Sequence, residues 1–437
     1  MTRRDVTRRP LRHGVVATLA LTALLATPTG PAMAADAGDG LWYYTQTGVA
    51  EAHQRTRGEG ITIAVLDGPI NAGAPELAGA DLTVHEPAYC ARTPGGPPID
   101  AITTDPEAFH ATTVTSMILG NGKGAAGQPG TLGVAPGAHV LHYTVHFSTG
   151  GENSDCARVG ESTATSVVSA LDQAVADGAD IVSLSFGYGS TADVTDALAR
   201  VLRAGVVVVA GVPNDSFQPD FLSSANGVVA VERSDVDGRS ATDTMEATPW
   251  ITVAAPGQDV RVIMPTWDSY GLAGGSSYAT PFTAGVLALV WSAYPDATAN
   301  QMIQSLIRNT GPTDHELTRN ADLGYGIVDV QHMLAHDPTT YPDENPLLRD
   351  DAEPSTATIL GQPEPGTDTT TAPPAEAQDT ATPTTTASPL SPLLLTAAGA
   401  LGLLVLIGIA LAVALTRRAR RRTTASSSPP PTPGPWA

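Results

Sequence analysis

The chain reads as an α/β protein whose central sheet is mainly parallel and covered by helices on both faces. Two observations predict this. Short runs at 61–66, 140–145, 181–184, 206–210, 228–231 and 251–254 are apolar at nearly every position rather than at alternate ones. That is the pattern of strands buried on both sides. Amphipathic segments separate them: 162–177 carries Val167, Val168, Leu171 and Val175 on one side, and 193–204 does the same with Val194, Leu198, Val201 and Leu202.

Taken in order, the chain opens with a targeting pattern. Arg3, Arg4, Arg8, Arg9 and Arg12 precede an apolar run at 15–26, and Ala32-Met33-Ala34 fits a small-residue cleavage site. Residues 1–34 are therefore expected to be a signal peptide, with Ala35 beginning the mature protein. Residues 35–60 form an N-terminal extension too short for a core of its own. The α/β domain is placed at 61–338. It closes with a helix from Pro281 to Tyr294 that is apolar all round, and so buried, and a second helix from Asp296 to Asn309.

From 339 to 392 the composition shifts to Pro, Thr, Ala, Asp and Glu without hydrophobic periodicity. Such a segment cannot offset its ordering entropy by burial, so a disordered stalk is expected. Residues 393–415 carry no charge. As a helix they would span about 35 Å, enough for the ~30 Å bilayer core. Arg417, Arg418, Arg420, Arg421 and Arg422 follow at once, which places the tail 416–437 in the cytoplasm. The expected topology is a cell-membrane protein with a single C-terminal transmembrane helix and its folded domain outside.

Between the terminal segments, residues 35–392 hold 13 Lys and Arg against 43 Asp and Glu, a net charge of −30. An acidic exterior argues against a nucleic-acid partner. Cys90 and Cys156 are the two cysteines of the chain. In an exported protein they most simply form one disulfide, whose long loop makes the unfolded-state term about 4 kcal/mol.

Three polar residues stand where apolar elements begin or end. Asp67 ends the first strand run in Val65-Leu66-Asp67-Gly68. His110 opens His110-Ala111-Thr112-Thr113-Val114. Ser277 lies in Gly275-Ser276-Ser277-Tyr278-Ala279-Thr280-Pro281, a Gly turn leading into a helix. Each alone is an ordinary turn or cap residue. In the order Asp, His, Ser, the three motifs resemble those of the subtilisin-like (S8) serine peptidases, and the resemblance covers about residues 60–335.

The resemblance implies a subtilisin-like three-layer fold and an Asp67–His110–Ser277 triad. In it, Asp67 orients His110, His110 is general base and then acid, and Ser277 is the nucleophile. It also implies Asn214 as side-chain oxyanion donor, in Ala210-Gly211-Val212-Pro213-Asn214, where Pro213 replaces the family's Gly. Ser183-Leu184-Ser185-Phe186-Gly187 resembles the family's peptide-binding strand. It nominates Ser183, Ser185, Phe186 and Gly187 for pairing with an extended substrate along an exposed edge, with Gly211 in the opposite wall. Ala111, Ser276, Tyr188, Tyr278 and Asp67-Gly68-Pro69 depart from the common family residues. No cofactor is expected. A structural calcium is compatible with the family, although Asp100 and Asp105 form no ligand loop. His139, His142 and His146 do not all share one strand face, so no metal is assigned to them.

The short extension, single domain, stalk and anchor resemble the mycosins, membrane-anchored subtilases of type VII secretion systems in actinobacteria. This implies a serine endopeptidase acting on proteins or peptides of such a system. The alternative is a non-catalytic stabilising subunit of the secretion complex with a dispensable triad.

Overall fold

A computed structural model describes residues 39–149, 152–160, 162, 164–214, 221–240 and 250–363. The expected signal peptide, transmembrane span and tail lie outside the described residues. Among those residues no helix is long and apolar enough to cross a membrane.

The strands expected from the continuous apolar runs form one parallel sheet. Its members are β1 (Thr62–Asp67), β2 (Leu82–Val84), β5 (His139–Thr144), β8 (Ile181–Leu184), β9 (Val207–Gly211), β10 (Val229–Ser234) and β11 (Val253–Pro256). They lie in the order β11-β10-β9-β8-β1-β5-β2, and every adjacent pair is parallel. Three small antiparallel pairs decorate it: β3 (Asn121–Lys123) with β4 (Pro129–Leu132), β6 (His146–Thr149) with β7 (Glu152–Asp155), and β12 (Val260–Ile263) with β13 (Tyr270–Ala273).

The helices are α1 (Trp42–Thr45), α2 (Val49–Ala52), α3 (Phe109–Leu119), α4 (Ser166–Ala176), α5 (Ala192–Arg203), α6 (Phe221–Ser224), α7 (Ser276–Ala293), α8 (Ala299–Arg308), α9 (Val330–Ala335) and α10 (Thr356–Leu360). Strand alternation sorts the core into two layers. Ile63 and Val65 of β1 pack with α3, α7 and α8. Ala64 and Leu66 pack with α4 and α5 on the other face. This is the three-layer arrangement the apolar strands require. The order of strands reverses between β1 and β8, so a crevice opens beyond their C-terminal ends.

Residues 39–60 are sewn onto the domain. Trp42, Tyr43 and Val49 are buried. Trp42 Nε1 donates to the Gln258 carbonyl at 3.0 Å, Arg55 Nη1 to the Leu334 carbonyl at 2.6 Å, and Gln331 Nε2 returns a bond to the Gly48 carbonyl at 2.6 Å. Cys90 and Cys156 are joined as a disulfide.

One expected boundary moves. The disordered stalk expected from 339 does not begin there, because residues 339–363 pack on the domain. Asn226 Nδ2 donates to the carbonyls of Arg349 and Pro354, Asn345 Nδ2 to that of Gly227, and Arg203 to those of Thr358 and Ile359. Polar side chains hold this segment, so it shows no hydrophobic period. The rest of the expected stalk lies outside the described residues.

Tyr43 makes the extension's most demanding contact. Fully buried, its hydroxyl donates to the Leu132 carbonyl at 2.8 Å and accepts from the Leu132 N–H at 3.1 Å. Tyr43→Phe strips the partner from the Leu132 carbonyl and N–H, both part-buried, so stability should fall by about 1–3 kcal/mol. Equilibrium denaturation checks this, and a loss below about 0.5 kcal/mol would show the extension to be only loosely applied.

Candidate active site

Asp67 continues the series of Ile63 and Val65 and therefore faces α3. It is fully buried. His110, in the first turn of α3, sets Nδ1 at 2.9 and 3.0 Å from the two Asp67 oxygens. A carboxylate only accepts, so Nδ1 carries the proton and Nε2 is left as the basic nitrogen. The Gly68 N–H donates to Asp67 Oδ1 at 2.7 Å. Burial alone would raise the Asp67 pKa, but the charge and hydrogen bond of His110, with help from His146, hold it well below the usual carboxylate range. For His110, burial pulls the pKa down, and the Asp67 charge and hydrogen bond outweigh it, so the net direction is up.

His146 was not anticipated as part of this site. Its Nε2 lies 3.5 Å from Asp67 Oδ1, at the outer limit of a hydrogen bond, and its ring packs on Phe186 at 5.0 Å between centroids. His142 sits nearby, with Nε2 2.8 Å from the Gly68 carbonyl. The even spacing of 142 and 146 was the available signal, obscured by His139, which turns to Thr83.

Ser277 is the second residue of α7, and its N–H is one of the first-turn donors without a helical acceptor. Its hydroxyl donates to the Ser185 carbonyl at 3.1 Å. Pro281 lies inside the same helix and has no N–H for the carbonyl four residues back, which is that of Ser277. The Ser185 hydroxyl fills the place, donating to that carbonyl at 3.0 Å. Ser276, at the position of the family's Thr, donates its hydroxyl to the Val212 carbonyl at 2.5 Å. The nucleophile's helix is thus pinned to the loops after both β8 and β9.

Asn214 follows β9. Its Oδ1 accepts from Arg233 Nη1 at 2.8 Å and from the Ser276 N–H at 2.9 Å. With Oδ1 doubly engaged, the amide can offer only Nδ2 outward. Gly211 is needed where β9 meets α7, since a Cβ there would lie 2.8 Å from Thr280 Oγ1 and 3.0 Å from Ser276 Oγ. Pro213 is accommodated as a buried residue of the loop. Tyr278 is also buried, only 5 % exposed, and packs in the core. Burial pushes its hydroxyl up to about 12.

The expected substrate wall needs correction. β8 is an interior strand between β1 and β9, not an exposed edge, and Ser183 within it is buried. Phe186 also turns inward, onto His146. The exposed backbone begins at Gly187, just past Ser185. Sheet order decides this, and a single apolar run does not reveal which neighbours it will have.

The match to known proteins agrees with this geometry. The model of the subtilase family, peptidase family S8, fits residues 58–326. The chain belongs to the subtilase family. It is similar to the thermostable alkaline protease of Halalkalibacterium halodurans, at 30% identity over 271 residues, 61% of this chain and 66% of that protein. It is 26% identical over 320 residues to fervidolysin of Fervidobacterium pennivorans, covering 67% of this chain and 43% of the relative. It is 28% identical over 275 residues to the major intracellular serine protease of Bacillus subtilis, covering 59% and 78%. The chain thus spans less than two thirds of the length of the first two relatives.

Among solved structures, the prenylagaramide maturation protease PagA superposes with a TM-score of 0.52 at 23% identity, over 66% of this chain and 98% of that one. MycP1 with its N-terminal propeptide removed superposes with a TM-score of 0.51 at 19% identity, over 69% and 99%. At these identities the likeness is one of fold.

Arg233 is a positioning residue that sequence reasoning missed, because its partner Asn214 lies on the neighbouring strand's loop. Removing a direct oxyanion donor typically costs 10²–10³-fold in kcat. Arg233→Met only frees the Asn214 amide to turn, so a loss of roughly tenfold in kcat with KM little changed is expected. Steady-state kinetics on a peptide substrate check it. An unchanged kcat would show that Ser276 N–H alone fixes the amide.

Proposed function

We propose that the protein is a serine endopeptidase of the cell exterior, acting through an acyl-enzyme on protein or peptide substrates. The observation that carries this is the pairing of His110 with the buried Asp67, with the protonated Nδ1 on the carboxylate and the basic Nε2 turned away from it.

The residues then act in sequence. Ser277 Oγ leaves the Ser185 carbonyl and gives its proton to His110 Nε2 as it bonds to the scissile carbonyl carbon. The oxyanion accepts from Asn214 Nδ2 and the Ser277 N–H, both set before the charge appears. The imidazolium, stabilised by Asp67, then protonates the leaving amine as the C–N bond breaks. Water, deprotonated by the same imidazole, hydrolyses the ester and returns Ser277.

The finer reading is a membrane-anchored enzyme of the mycosin type that processes proteins of a type VII secretion system. Its support is the signal pattern at 1–34, the uncharged segment 393–415 with its arginine flank, and an extension that packs on the domain. A second reading, a stabilising subunit with a dispensable triad, draws on the Ser277 hydroxyl resting on Ser185. Labelling by a fluorophosphonate separates the two. Wild type should label at Ser277, Ser277→Ala should not while melting unchanged, and His110→Ala should slow labelling at least 10³-fold. Peptidase activity that survives Ser277→Ala would overturn the mechanism, and an unlabelled, folded wild type would favour the scaffold.

A further inference from the structure

Apart from the triad region, Asp314, His332 and His336 bring one carboxylate oxygen and two imidazole nitrogens within 4.8 Å of one another. His332 lies in α9 and His336 caps it one turn later, so their rings meet edge to face at 4.9 Å between centroids. Asp314 comes from the loop that follows α8.

The hydrogen bonds fix the tautomers. His332 Nδ1 is 2.8 Å from the Gly311 carbonyl, and His336 Nδ1 is 3.0 Å from the His332 carbonyl. A carbonyl oxygen only accepts, so Nδ1 is the protonated nitrogen in each ring. A neutral imidazole then has a bare lone pair at Nε2. Yet His332 Nε2 stands 3.0 Å from Asp314 Oδ1, and His336 Nε2 stands 3.6 Å from the same oxygen. With both rings neutral, three acceptors converge with no proton among them. A second proton on His332 would serve the 3.0 Å contact with Asp314 and leave the bare Nε2 of His336 facing the same oxygen.

A divalent cation at the convergence would satisfy all three acceptors at once. Each ring would coordinate through Nε2 while its Nδ1–H stays on a backbone carbonyl, the outer arrangement that orients metal-ligating histidines. The His332 side chain is 5% exposed and aimed into the cluster, while Asp314 and His336 leave an open side at 86% and 40%. Neighbouring His315 is no member, because its nitrogens already face Thr310 Oγ1 and the Glu316 carbonyl.

We propose that Asp314, His332 and His336 bind one divalent transition-metal ion of the zinc class, with water completing a tetrahedron. Two imidazoles and a carboxylate suit that class. Bonds of 2.0–2.1 Å give tetrahedral edges of about 3.4 Å; the two edges to Asp314 are 3.0 and 3.6 Å, and all three ligand atoms lie within 4.8 Å of one another. Closure needs only the half-exposed His336 to turn. The ion would clasp the 311–316 loop to α9, the helix that also holds the N-terminal extension through Gln331 and the Leu334 carbonyl. Its role is structural, separate from the triad.

The test uses the full-length, untagged chain stripped with a chelator. Zn²⁺ is titrated against a chromophoric chelator, Co²⁺ binding is followed by visible absorption, and melting is measured with and without Zn²⁺. The expected result is one ion per chain, an intense tetrahedral Co²⁺ spectrum and a raised melting temperature. His336→Gln, at a half-exposed position, and Asp314→Asn, at an exposed one, should melt like the stripped wild type, bind at least tenfold more weakly and lose the Zn²⁺-dependent rise. His315→Gln should behave as wild type. Absence of stoichiometric binding at micromolar Zn²⁺ would overturn the proposal. So would wild-type affinity and spectrum in both His336→Gln and Asp314→Asn.

Discussion

The hydrogen-bonded pair of buried Asp67 and partly exposed His110 is the constraint around which the site is arranged. A carboxylate taken fully out of water costs several kcal/mol unless its charge is met. Here it is met from three sides, by His110, by the Gly68 N–H and at longer range by His146. That requires β1 to end beside β5 and α3, with its odd-numbered side chains on the α3 face. The parallel sheet and its order supply that placement. The strand reversal next to β1 supplies the crevice into which the free nitrogen of His110 can work.

The second half of the site depends on the start of α7. Ser276 and Ser277 each have backbone and hydroxyl links to neighbouring loops, through Asn214 and Val212 on one side and Ser185 on the other, the last taking the Ser277 carbonyl that Pro281 leaves without a helical donor. Arg233 then sets which end of the Asn214 amide points outward. The departures from common family residues fit this network. Ser276 retains the hydroxyl of a Thr, and Tyr278 fills core volume.

Much of this was legible in the chain. Asp67, His110, Ser277 and Asn214 stand in local motifs at strand and helix ends, and continuous apolar strands could only mean a sheet covered twice. What the sequence hid is of another kind. Ser183 is placed on an edge by the resemblance of its segment to a peptide-binding strand, and a run of four apolar or small residues says nothing of its neighbours to correct that. His146 and Arg233 act on residues 79 and 19 positions away, through sheet register rather than spacing. The 339–363 segment is held by Asn226, Asn345 and Arg203, polar anchors that leave no hydrophobic period.

The central claim is that the buried Asp67 holds His110 as a charge-stabilised partner. Imidazole ¹⁵N NMR of His110 through a pH titration tests it directly. Burial lowers this pKa and the Asp67 charge raises it, with the charge prevailing. The midpoint should therefore lie above the ordinary histidine value of about 6.5, and Asp67→Asn should bring it below that value because burial then acts alone. The raised His110 pKa contributes stability that is full below the histidine's unfolded-state pKa and fades as pH rises through the folded-state midpoint. The lowered Asp67 pKa contributes stability that is full above the carboxylate's unfolded-state pKa and is lost as pH falls. A wild-type midpoint at or below about 6.5 that does not move in Asp67→Asn would contradict the account.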